Sequence, residues 1–99
     1  MTETGAIVRL VVVEGAVQGV GYREFIRRAA LKLGVSGWVR NRSDGTVEAL
    51  VRGPPPAVEA LVAEMRKGPR FASIERLNVI ERDEADGDES GAFVIRPTG

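Results

Sequence analysis

Two stretches of amphipathic sequence, each flanked by short β-branched runs, narrow the architectures open to this chain. From about Tyr22 to Leu33, the residues Phe25, Ile26, Ala29, Ala30 and Leu33 recur on one helix face, and Gly34 suits the C-terminal cap. From about Ala57 to Lys67, Val58, Leu61, Val62 and Met65 form a second stripe, opened by Gly53 and three prolines and ended by Gly68-Pro69. The segments around them read as strands. Ile7 to Glu14 (IVRLVVVE) is short and β-branched, and Val35 to Arg42 (VSGWVRNR) and Thr46 to Arg52 (TVEALVR) flank a Ser43-Asp44-Gly45 turn. Ile74 to Arg82 and the short Ala92 to Arg96 (AFVIR) supply two more. The order β-α-β-β-α-β plus a short fifth strand predicts an α+β, ferredoxin-like split βαβ sandwich. Its two helices should share one face of an antiparallel sheet, in one domain spanning residues 1–99. Many activities use this architecture, so the fold alone assigns none.

Composition narrows the chemistry further. The 99 residues include no Cys and no His. That excludes a thiol nucleophile, a Ser-His-Asp relay, a histidine base, CxxC redox chemistry and a Cys- or His-built zinc site, and with them a metal-carrying domain of this fold. Catalysis would have to come from Arg, Asn, carboxylates, backbone amides or the substrate itself. No apolar run nears the ~20 residues that span a bilayer. Glu3 and Arg9 interrupt the N-terminal stretch, so no signal peptide is expected and the expected compartment is the cytoplasm. A monomer is the expectation for so small a neutral domain.

The formal charge of zero conceals a segregation. Residues 23–42 carry Arg23, Arg27, Arg28, Lys32, Arg40 and Arg42 against Glu24 alone, whereas residues 81–99 are predominantly acidic, chiefly in the 83–91 loop. Most of these charges, Arg28 and Lys32 among them, read as solvated surface. The basic cluster nevertheless provides a field for a small anion. Nucleic acid is not an expected partner: the total charge is neutral, and strands 1 and 3 lack the aromatics on which such folds stack bases.

Between the first strand and the first helix, Gly15 to Gly21 (GAVQGVG) holds three glycines in seven residues. A loop in that place can aim several N–H groups at one point, where the helix dipole adds positive potential. It is neither a Walker A loop nor G-x-G-x-x-G. Arg23 then places a cation in the first helical turn, against the dipole, at a cost of about 0.3–1 kcal/mol. A bound phosphate would offset it through a bidentate guanidinium contact. Asn41, between Arg40 and Arg42 before the turn, has an ordinary reading as a strand-end residue that satisfies turn amides. Tyr22, Phe25 and Trp38 read as core or pocket-wall aromatics, and Asp44 as a turn residue.

The segment G-A-V-Q-G-V-G-Y-R (Gly15 to Arg23) resembles the N-terminal signature of acylphosphatases. G-W-V-R-N-R-S-D-G-T-V-E-A-L-V-R-G (Gly37 to Gly53) is similar to their second signature, with Asn41 and the later glycines at the family's spacing. The resemblance covers most of the chain, through the final F-V-I-R. It implies hydrolysis of acyl phosphates to a carboxylate and inorganic phosphate without metal or cofactor. By motif position, Arg23 and the backbone amides of Gly15, Val17, Gln18, Gly19 and Val20 would bind the phosphoryl group, and Asn41 would position the attacking water. Glu14 and Ala16 depart from residues common at the motif edge, and Glu14 would place a carboxylate near an anion site. The alternative on the same scaffold is a phosphate-binding module without turnover, which Asn41→Ala would leave unaffected.

Overall fold

Among the described residues, seven elements form in the expected order: β1 (Ile7–Ala16), α1 (Tyr22–Leu33), β2 (Ser36–Asn41), β3 (Val47–Gly53), α2 (Pro55–Lys67), β4 (Ser73–Arg82) and β5 (Phe93–Ile95). The computed structural model describes residues 5–83 and 91–99, so Glu3 and most of the acidic 83–91 loop lie outside the described residues.

The five strands form one sheet in the order β4-β1-β3-β2-β5. β1 pairs antiparallel with β3 and β4, and β2 with β3. The expectation of a wholly antiparallel sheet is corrected at one edge, where β5 runs parallel to β2. The reason is directional: β4 runs opposite to β1, and β2 runs with β1. A strand that follows β4 after a reversal therefore points the same way as β2. The sheet is mixed, and the ferredoxin-like α+β architecture holds.

Alternation along the strands separates two faces. Val11 and Val13 of β1, Val39 of β2, and Val47, Ala49 and Val51 of β3 are buried against Ile26 and Ala30 of α1 and Val58, Leu61 and Met65 of α2. Helix α1 lies over β2 and β5, and α2 over β1, β3 and β4. The opposite face carries a smaller cluster of Val8, Leu10 and Leu50, with Trp38 packed against it. Trp38 therefore belongs to the face away from the helices, where the Arg40 and Arg96 guanidiniums lie 5.2 and 4.9 Å from its ring centroid.

Two boundaries differ from expectation for local reasons. Helix α2 begins at Pro55, two residues before Ala57, because proline at the first helical position forfeits no hydrogen bond. β1 continues through Gly15 and Ala16, which pair with Ile74 and Ser73 across a register shift after Glu14. Gly15 sits at φ 135°, and a Cβ there would run into the Ser73 carbonyl and come within 2.9 Å of the Glu75 nitrogen. Glycine is thus needed where β1 bends toward the loop.

Tyr22 fastens the start of α1 to the end of α2. It is 1% exposed, and its hydroxyl donates to the Met65 carbonyl at 2.7 Å. Burial pushes its phenol above the ordinary range. Tyr22→Phe is expected to lower stability by about 1 kcal/mol, a fall of about 4–8 °C in Tm for a domain of this size, readable by thermal denaturation.

Candidate active site

The loop after β1 is held open by two glycines. Gly19 (φ 77°) and Gly21 (φ 79°) are left-handed, and Gly21 is the N-cap of α1 with no side chain to cap the helix. Its carbonyl receives the first helical bond from Phe25 N–H. Among the described residues, the N–H groups of Gln18, Gly19, Val20 and Gly21 donate to no protein acceptor. Together with the free amides of the first helical turn, they form a concentration of donors at a positive helix end.

Arg23 reaches the same place. Val17, Gly19, Gly21, Tyr22, Arg23, Glu24 and Ile95 line a cavity of about 170 Å³, large enough for a phosphoryl group. The half-buried Arg23 has no hydrogen bond or ion pair to any described residue. Its neighbour Glu24 is fully engaged, accepting from Arg27 Nε (2.8 Å), Arg27 Nη2 (2.7 Å) and Arg28 Nε (2.9 Å). Arg28 is the exposed helix-face charge expected, and it takes Glu24 as its partner. Of the residues expected in the cradle, Val17 and Gly19 line the cavity, Val20 packs on the core, and Gly15 lies in β1.

Asn41 stands at the end of β2, opposite Val47. Its Oδ1 is buried and accepts no hydrogen bond from any described residue, an arrangement that costs free energy unless a donor arrives. Its backbone is fixed on two sides: Gly99 N–H donates to the Asn41 carbonyl at 3.1 Å, and Arg42 N–H closes the following turn onto Thr46 O at 2.8 Å. The turn is the expected one. Asp44 Oδ1 accepts from the Thr46 hydroxyl (2.6 Å) and N–H (3.0 Å), which in that order hold the carboxyl below its usual range.

The Gln18 side chain joins the two halves of the site. Its amide nitrogen donates to the Arg42 carbonyl (2.8 Å) and the Thr46 carbonyl (2.9 Å), fastening the loop to the turn beside Asn41. Ile95 makes a second link, lining the Arg23 cavity while paired with Val39, two residues before Asn41. The sequence carried no sign of either contact, because both depend on the distant hairpin and on the edge taken by β5. Glu14 lies across from Arg76, whose Nη1 is 3.9 Å from its carboxylate, so its charge has a partner.

A family model for acylphosphatases matches residues 9–95. The acylphosphatase of Rhodopseudomonas palustris (strain BisB18) is 48% identical over 91 residues, covering 92% of this chain and 87% of that one. Among solved structures, an acylphosphatase from Coxiella burnetii superposes with a TM-score of 0.86 at 32% identity, over 97% of this chain and 100% of that chain. One from Bacillus subtilis gives 0.82 at 35% identity, over 91% of this chain and 98% of that chain. The matched stretch runs from β1 to β5 and takes in the loop, Arg23 and Asn41, and on that agreement the chain belongs to the acylphosphatase family of hydrolases.

Proposed function

We propose that this chain hydrolyses small acyl phosphates, with Arg23 and the free amides of residues 18–21 holding the phosphoryl group and Asn41 orienting the water. The observation that carries the reading is the pairing of unused groups of opposite kind. Among the described residues, a half-buried guanidinium and four loop amides lack acceptors, while the buried Asn41 Oδ1 lacks a donor. A phosphoryl group answers the first set and a water O–H the second.

The reaction balances without a protein acid or base. The water oxygen attacks phosphorus, the bond from phosphorus to the acyl oxygen breaks, and its electron pair leaves on the carboxylate. A carboxylic acid has a pKa of about 4, so this group departs unprotonated. The water's proton passes to a phosphoryl oxygen. Through a loose transition state, the work left to the protein is positioning and charge stabilisation. Arg23 and the amides supply the charge, and Asn41 Oδ1, accepting one water O–H, aims the oxygen lone pair.

Gln18 holds the two sets in register. Gln18→Ala is expected to lower kcat by about tenfold with a smaller change in KM, since misplacing the nucleophile weakens the transition state more than ground-state binding. Steady-state kinetics separates the two. The overall reading is tested by hydrolysis of benzoyl phosphate with a chelator present. Turnover well above spontaneous decay supports it, and decay at the background rate contradicts it.

A further inference from the structure

Glu24 presents an apparent contradiction. It is an acid on the wall of a cavity whose free groups are all suited to an anion. A carboxylate has the same appetite for guanidinium and amide donors as a phosphoryl group. Placed one residue from Arg23, it is a tethered competitor for them. The structure shows how it is occupied. Arg27 grips both of its oxygens in a fork, and Arg28 adds a third bond to Oε2. Arg23, by contrast, has no partner among the described residues.

We infer that Arg27 and Arg28 are positioning residues that hold the Glu24 carboxylate off the phosphoryl site and so leave Arg23 and the loop amides open to substrate. This rests on the reading that Arg23 seats the phosphoryl group. Helical spacing favours the arrangement. Arg27 and Arg28 stand three and four residues after Glu24, on the helix face it shares, and take its carboxylate, although Arg23 lines the same cavity one residue away. The two arginines hold the Glu24 pKa down to about 2. The carboxylate is therefore ionised throughout the neutral range, and what changes on losing the arginines is its direction, not its charge. An acid in the first turn also favours the helix dipole, which explains its presence there but not why two cations surround it.

The test is a cycle read in KM and in competitive inhibition by inorganic phosphate. In R27Q/R28Q both constants are expected to rise about three- to fivefold, with kcat within about twofold of wild type, the scale of an exposed charge contact. Adding Glu24→Gln should bring both back to near the values of the single Glu24→Gln variant. R27K/R28K, which keeps the cations, should lie between. The same rise with and without Glu24 would overturn the inference, because the arginines would then be acting through their own charge; so would no rise at all. Arg23→Ala, measured alongside, separates the two assignments. Loss of phosphate inhibition there, with additive arginine effects, overturns only the role of Glu24. Undiminished inhibition there overturns the seat of the phosphoryl group itself.

Discussion

Replacing Asn41 with alanine is expected to reduce kcat for benzoyl phosphate by about 10²–10³-fold, the scale of losing one preorganised polar group at a reacting centre. KM should change little, and inorganic phosphate should inhibit as strongly as before. The buried Oδ1, unpaired among the described residues, is an energetic liability. Its removal should leave stability unchanged or slightly improved. A residue kept for the turn would behave the other way, losing stability while sparing the rate. The turn, moreover, is closed without the Asn41 side chain, by the Arg42 and Thr46 main chain and by Asp44. A kcat loss with an unchanged Tm is thus the signature expected of a water-positioning group.

Arg23→Ala should act on the other half of the site. We expect kcat/KM to fall by about 10²–10⁴-fold, as follows from losing a bidentate charge-assisted contact to a charged oxygen pair. The inhibition constant for phosphate should rise strongly as well, since the same contact serves product and substrate. Stability should not suffer. Arg23 makes no hydrogen bond or ion pair to any described residue and opposes the dipole of α1, so its removal relieves about 0.3–1 kcal/mol. A variant that is at least as stable as wild type yet nearly inactive would match a residue retained for its ligand.

Much of this was legible in the sequence because the signals were local. The helix stripes of α1 and α2, the glycine-rich loop and the Asp44-Gly45 turn each depend on residues within a few positions of one another; the α1 stripe and the turn form where expected, while α2 starts two residues early and the loop cedes Gly15 and Ala16 to β1. The misfit of Arg23 at a helix start was equally local. Tertiary features were hidden. Pairing of Gly15 with Ile74 extends β1 into what reads as loop, and it depends on a strand some sixty positions away. The parallel placement of β5 follows from the direction of β4, information that no periodicity in F-V-I-R contains. The reach of Gln18 to the Arg42 and Thr46 carbonyls spans 24 and 28 positions. The pairing of Glu24 with Arg27 and Arg28 fits a helix surface at the sequence level. It gains a bearing on the site only because Glu24 also lines the cavity beside Arg23.

The division of labour between Arg23 and Asn41 is tested most directly by phosphate titration of three proteins under one set of conditions: wild type, Arg23→Ala and Asn41→Ala. A ligand that binds only the native state at ten times its dissociation constant stabilises it by about 1.4 kcal/mol, a rise of several degrees in Tm for a chain of this length. That rise should appear in wild type, persist undiminished in Asn41→Ala, and vanish in Arg23→Ala. An undiminished rise in Arg23→Ala, or its loss in Asn41→Ala, would contradict the assignment of phosphoryl binding to one residue and water positioning to the other.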